Sequence, residues 1–509
     1  MAAQRWIWAL EPGLQVVTTT KDEESERLGL TARVRGAVMW RSGAQVVSQL
    51  IMWGSTFLVI RILDPRDYGL FAMTQVVLVF LHLMNGYGFA NALVRNASLT
   101  REQIAQAFGL LILLNGGLAL AQLALAPLAA AYFRQPEVAT LLRVQALLYV
   151  ATPFTALPTA LLSRRLDFRR QAQAALIGAI VGAGTALAAA MAGWGVWTLV
   201  AAPIAMFWAQ AAALTWAARS LIRPSFRFKG AEAMVRYGSA MVVVQFFWFI
   251  QSQSDVFIAG RVLAPHDLGV YTTALFLTQI LSSKFIPPLN DVAFAAYSHM
   301  QARADAIAFA FLRAVRLIML IVMPFYLGLA ITAEPLVLTV LGPKWAETIP
   351  LVQLLALAMP FMALQILFVP ANNALGHTRV AVRIALAGAV VMPLSFLVGI
   401  RFGTIGLAWA TFAAFPTLTA ITALLSIRVI GVRIAELARA VLPGLLAAGA
   451  MALAVLAADS LLPPMLPQPR LALLVLTGVV AYAGLLLLFA RPLVDEVTAL
   501  LRKPVPATG

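Results

Sequence analysis

Arg61-Ile62-Leu63-Asp64-Pro65-Arg66-Asp67-Tyr68-Gly69-Leu70-Phe71 joins the end of one long apolar run to the start of the next. The arrangement returns, with residue numbers raised by 200, as Arg261-Val262-Leu263-Ala264-Pro265-His266-Asp267-Leu268-Gly269-Val270-Tyr271. Arg, Leu, Pro, Asp and Gly hold matched positions, and most other pairs exchange one apolar residue for another. Pro and Gly break a helix, and the Asp caps the first turn of the helix that follows. Such a match at the same point of two apolar hairpins implies a duplicated membrane protein.

Composition agrees. Of 509 residues 61% are hydrophobic and only 11% are charged, and the mean hydropathy is +0.88. A soluble domain carries about a quarter charged residues. Long uncharged runs fill almost everything after Gly36, which calls for a polytopic α-helical membrane protein. The net charge of +16 sits mostly between apolar runs, so it speaks for topology and anionic headgroups and against nucleic acid. The chain has no cysteine, which excludes disulfides, thiol catalysis and thiolate metal sites. Four scattered histidines make no metal cluster, and no cofactor is expected.

Residues 1–35 are polar and mixed in charge and lack the pattern of a signal peptide, so a cytoplasmic tail is expected. About 14 spans follow. The first six lie near 36–60, 68–94, 104–132, 138–162, 172–192 and 195–218. The next six lie near 237–260, 267–295, 309–333, 347–372, 380–400 and 405–427, with a last pair near 437–458 and 470–490. Pro287 and Pro288 are expected to interrupt the eighth. Each run can cross roughly 30 Å of hydrocarbon at about 1.5 Å per residue.

With the N-terminus inside, most of the 37 Lys and Arg fall on inner segments, which places both termini in the cytoplasm. An even separation of the repeats gives the two halves the same orientation. A weaker echo joins Gly195-Val196-Trp197 to Gly406-Leu407-Ala408, each opening the sixth span of its half. The expected fold is therefore all-α: two parallel six-helix lobes, 36–235 and 236–430, two further helices within 431–491, and a cytoplasmic tail, 492–509. On the fifth span Gly182 and Gly184, with Gly178, form a small-residue packing face. The outer loops are too short to hold a catalytic domain, so the protein is not expected to be an enzyme.

A charged side chain at mid-membrane costs on the order of 3 kcal/mol and needs a wet or paired site. Arg41 lies on the first span with Gln45 and Ser48 on nearly the same face. Gln245, Ser252 and Asp255 form a comparable stripe on the seventh. The eighth carries Gln279, Ser283 and Asn290 on one stripe and Lys284 with Asp291 on another. One reading is a cationic cavity in which Arg41 and Lys284 meet an anionic group, with Gln45, Gln245, Gln279 and Asn290 around it. Arg suits phosphate because its planar fork donates two hydrogen bonds, whereas Lys acts as a point charge. The other is internal pairing of Arg41 or Lys284 with Asp255 or Asp291. Either carboxylate is also a candidate for coupling to H⁺ or Na⁺.

The run Leu63-Asp64-Pro65-Arg66-Asp67-Tyr68-Gly69-Leu70-Phe71-Ala72-Met73 resembles the opening signature of polysaccharide-transport proteins. These are the Wzx-type oligosaccharide flippases of the multidrug/oligosaccharidyl-lipid/polysaccharide (MOP) exporter superfamily, to which the MATE transporters also belong. Arg164-Arg165-Leu166-Asp167-Phe168, Gly193-Trp194-Gly195-Val196-Trp197-Thr198-Leu199-Val200 and Asp255-Val256-Phe257-Ile258-Ala259-Gly260-Arg261 look like further matches, over roughly residues 36–430. The resemblance implies transfer of an undecaprenyl-pyrophosphate-linked oligosaccharide between leaflets of the bacterial inner membrane, by alternating access of two lobes. It implies membrane lipids and polysaccharide-assembly proteins as partners, with the pyrophosphate as the group Arg41 and Lys284 would meet. Competing readings are an ion-coupled multidrug antiporter, a lipid II flippase, and a glycan polymerase or ligase. Few intramembrane acids argue against the antiporter, and the short loops against the enzyme.

Overall fold

The structure is a computed structural model that describes residues 43–83, 100–220, 222–226, 232–300 and 304–489. Its described residues are helices joined by short turns, with no strand among them. They divide into two compact units at Gly269/Val270.

The first unit holds α1 (Gly43–Ile62), α2 (Pro65–His82), α3 (Arg101–Phe133), α4 (Pro136–Gln145), α5 (Leu147–Arg164), α6 (Phe168–Met191), α7 (Val196–Ala218) and α8 (Glu232–Val262). The helix α9 (Pro265–His299) starts in it and runs into the second unit. There it is followed by α10 (Ala304–Ile331), α11 (Ala333–Val340), α12 (Ile349–Ala374), α13 (Thr378–Gly399), α14 (Gly403–Ile430), α15 (Ile434–Leu461) and α16 (Pro467–Phe489). Short 3₁₀ turns, Pro343–Thr348 and Ile400–Phe402, precede α12 and α14.

Ten of the described helical segments are long and apolar enough to cross a membrane, so this is a multi-pass membrane protein. Four of the described helices fall outside that group: the eight-residue α11, then α2, α8 and α9. The last two are the helices that carry Gln245, Asp255, Gln279, Lys284, Asn290 and Asp291.

Local chemistry sets the helix ends. Thr100 Oγ1 accepts from Gln103 N at 3.2 Å while Thr100 N donates to Gln103 Oε1 at 3.0 Å, closing a capping box at the start of α3. Asp167 accepts from Arg170 N at 3.1 Å at the start of α6. The Arg170 guanidinium reaches across to Ala217 O at 3.1 Å, one of the last carbonyls of α7. In α5, Pro158 removes the donor that Phe154 O would have used, and Thr215 Oγ1 of α7 supplies one at 3.1 Å.

Close helix pairs are built on glycine. A Cβ added to Gly182 would lie 2.8 Å from Met206 Cβ, and one on Gly178 3.1 Å from Met206 O, so both glycines seat α6 against α7. Gly184 does not belong to this face, because a Cβ there meets nothing within 4 Å. Two residues from Gly182 is a half-turn of helix, which aims Gly184 away. In the second unit Gly399 and Gly406 bring α13 and α14 together, since a Cβ on either would lie 2.4 or 2.1 Å from the other's carbonyl oxygen. Asn372 Nδ2 donates to Ser426 Oγ at 2.9 Å, a buried bond between α12 and α14. The pair α15 and α16 is tied at one end by Arg470, which meets Asp459 at 2.8 and 2.9 Å and Glu334 of α11 at 3.1 Å.

Two expectations need correction. The eighth expected span is one uninterrupted helix, α9, which runs through Pro287 and Pro288. A proline pair removes two hydrogen bonds, and a helix of 35 residues retains enough others to continue. The echo between the sixth spans is also shifted. Gly195, before α7, has φ 54° and ψ −131°, a conformation reserved to glycine. Its counterpart at the start of α14 is Gly403, with φ 69° and ψ −153°, whereas Gly406 lies inside the helix as the Gly399 contact.

Gly182→Ala is expected to lower the melting temperature of the detergent-purified protein, at about 1–3 kcal/mol for an overpacked contact. Gly184→Ala leaves it unchanged or raises it, because Ala is the better helix former by up to about 1 kcal/mol.

Candidate functional site

The repeated turn meets itself. A Cβ built on Gly69 would lie 1.8 Å from Pro265 O, and one on Gly269 1.7 Å from Pro65 O. Each glycine thus rests on the carbonyl of the proline that opens the other copy, in a two-fold arrangement inside the first unit. Only residues without a Cβ permit it. Asp67 steadies the first copy. Its Oδ2 accepts from Asp64 N at 3.2 Å, and its carboxylate also takes the Val196 N–H at the start of α7. The shape of Gly195 leaves room for it, since a Cβ there would come within 3.1 Å of Asp67 Oδ1. One carboxylate therefore serves two helix N-termini, each with a partial positive charge.

The Asp255–Arg261 stretch also has a structural role. Arg261 donates to the carbonyls of Ala131, at 3.3 Å, and Tyr132, capping the C-terminus of α3. Its guanidinium lies 5.5 Å from the Tyr132 ring centroid. That ring stacks on Phe257 at 4.5 Å, and Tyr132 Oη donates to Phe257 O at 3.3 Å. Gly260 fits against Phe133, whose ring a Cβ would approach to 2.8 Å. Asp255 is 9% exposed, and its Oδ1 accepts from Val256 N at 2.7 Å.

The expected site residues fall into three groups. Arg41 lies outside the described residues. Gln45, Gln245, Lys284 and Asp291 are exposed on their units, and Gln279 is half-buried. Asn290 is half-buried and tied to α12 through Nδ2, which donates to Ile366 O at 3.4 Å, while its Oδ1 has no donor among the described residues. Among the described residues no acidic side chain forms an ion pair with Lys284. Lys284 lies midway along α9, one turn before the proline pair. Those prolines have no N–H, so the carbonyls of Ser283 and Lys284 lack their usual helical donors.

A buried polar set was not singled out from the sequence. Gln145 Nε2 donates to Thr74 Oγ1 at 3.1 Å and Gln122 Nε2 to Leu142 O at 2.6 Å, linking α2, α3 and α4 in an apolar interior. Its only signal in the sequence is single glutamines within apolar runs.

The family described as Polysaccharide biosynthesis protein matches residues 58–350, more than half of the chain. The chain belongs to this family. Among relatives of this polysaccharide biosynthesis protein is the succinoglycan biosynthesis transport protein ExoT of Rhizobium meliloti (strain 1021). The two are 27% identical over 366 residues, covering 71% of this chain and 74% of ExoT. The lipopolysaccharide biosynthesis protein WzxC of Escherichia coli (strain K12) is 22% identical over 301 residues, 58% of this chain and 60% of WzxC. Of solved structures, the lipid II flippase MurJ in an inward closed conformation matches with a TM-score of 0.72 at 13% identity, covering 90% of this chain and 100% of that one. An inward-facing MATE family transporter of the MOP superfamily matches at 0.57 and 13% identity, covering 75% and 95%. At this identity these two structures carry the fold alone, an all-helical membrane fold like theirs.

Gly69→Ala and Gly269→Ala are each expected to lower the melting temperature, and the double variant to lower it by less than the sum. Both remove the same contact, and neighbours in one contact are non-additive by about 0.5–3 kcal/mol. Thermal unfolding of the four proteins measures this.

Proposed function

We propose that this protein is a flippase that moves an undecaprenyl-pyrophosphate-linked oligosaccharide from the inner to the outer leaflet of the bacterial inner membrane. The product serves exopolysaccharide or O-antigen assembly. The observation that carries the reading is Lys284: a cation midway along α9, exposed on its unit and paired with no described acid. A charge held there without an ion pair suits a route for an anionic headgroup better than a structural role. Family membership and the relatives' roles in succinoglycan and lipopolysaccharide biosynthesis support the same cargo class.

In this proposal fourteen spans form two parallel six-helix lobes, the first within 36–235 and the second within 236–430, with a last pair beyond them. Both termini are cytoplasmic. Arg41 donates a bidentate pair of hydrogen bonds to the diphosphate and Lys284 supplies a point charge. Gln45, Gln245, Gln279 and Asn290 serve the sugars and remaining oxygens. The turns at Gly69 and Gly269 lie on the outer face, and their contact closes that side while cargo enters from within. Asp255, already buried and bonded to a backbone amide, and Asp291 are the candidates for a coupling H⁺ or Na⁺. Proteins that polymerise the glycan receive the product.

Expression of variants in a strain lacking the gene tests this. Lys284→Ala and Arg41→Ala insert at wild-type levels and reduce surface glycan by tenfold or more, taking about 1.4 kcal/mol per decade, while Lys284→Arg retains most export. Wild-type export by both alanine variants removes the proposed site.

A further inference from the structure

The helices α13 and α14 part beyond their glycine contact and leave a groove of about 740 Å³ lined almost wholly by carbon. Leu394, Val398 and Phe402 form one wall at steps of four residues, and Ile405 and Trp409 form the other. Small residues, Gly399, Gly406 and Ala413, form the floor. The wall residues are exposed, from 40% for Ile405 to 70% for Phe402. Eight residues of helix give the groove a depth of about 12 Å from the turn at Phe402. Arg401, next to Phe402 in the turn at the end of the groove, is an exposed cation that pairs with none of the described residues.

We infer that this groove binds the isoprenoid chain of an isoprenyl diphosphate, with the diphosphate against Arg401. The inference rests on the flippase reading, which puts the turn between α13 and α14 on the outer face, where delivered cargo emerges. Three features select the occupant. The lining is apolar to its floor, as a hydrocarbon requires. The single file of small residues between two bulky walls takes one chain, not the two of a glycerophospholipid. A lone cation in the turn at the end of the groove complements a strongly anionic headgroup at the interface.

The test uses the full chain in phosphatidylcholine nanodiscs with a long-chain isoprenyl diphosphate bearing a photoreactive group in its first isoprene units. Adducts located by mass spectrometry are expected on peptides covering 394–413. Unlabelled isoprenyl diphosphate displaces them and phosphatidylglycerol does not. Arg401→Gln lowers the yield about fivefold, the share of one cation near a headgroup. Ala413→Phe fills the floor from an exposed position and abolishes the adducts. Adducts spread over the membrane-facing surface, equal displacement by phosphatidylglycerol, or an unchanged yield in Ala413→Phe each overturn the inference. Transbilayer movement of cargo measured on the same proteins separates the two ideas. Movement without groove adducts removes the groove alone, and absence of movement in the wild type removes the flippase reading.

Discussion

Two glycines hold the repeated turns backbone to backbone, and much of the first unit follows from that contact. At Gly69 and Gly269 the separation is so small that a single methyl group on either would strike a carbonyl oxygen. The contact also joins the N-termini of α2 and α9, the positive ends of two helix dipoles. Asp67 and Asp267 stand in the first turns of these helices, where a negative charge offsets that repulsion. The Pro, Asp and Gly of the repeat thus answer three linked needs: starting a helix, compensating its end, and letting its twin approach.

The same economy explains which helices are polar. The helices α10, α12 and α16, with few charged residues over long apolar stretches, qualify as spans by composition. The helices α8 and α9 do not, because they bear amides, carboxylates and Lys284. Such groups are tolerated in a membrane only where water, cargo or a partner meets them. Several have structural partners: Asp255 at a backbone amide, Asn290 at Ile366 O and Arg261 at the end of α3. Lys284 has none among the described residues, which is why it carries the functional proposal.

The helix positions were readable from the sequence because a 20-residue apolar run has little choice but helix in a bilayer. The duplicated turn was readable because it is a local motif. What escaped depends on backbones approaching from afar. Nothing in the sequence tells Gly184 from Gly178 and Gly182, or shows that Gly403 and not Gly406 answers to Gly195. Those distinctions rest on which face meets Met206 and on φ and ψ. Arg261 was legible as part of a motif but not as a helix cap, because its partners lie about 130 residues earlier. In the candidate site, Lys284 and the surrounding amides were found from their cost in lipid, and Arg41 lies outside the described residues.

The most direct test is movement of cargo by the purified protein alone. Proteoliposomes holding a fluorescent pyrophosphate-linked oligosaccharide in both leaflets are treated with an enzyme or quencher confined to the outside. Rapid loss of nearly the whole signal is expected with wild-type protein, and loss of only the outer half with Lys284→Ala. Protection of the inner half in wild-type vesicles, with the protein folded and any coupling gradient imposed, would contradict the flippase assignment.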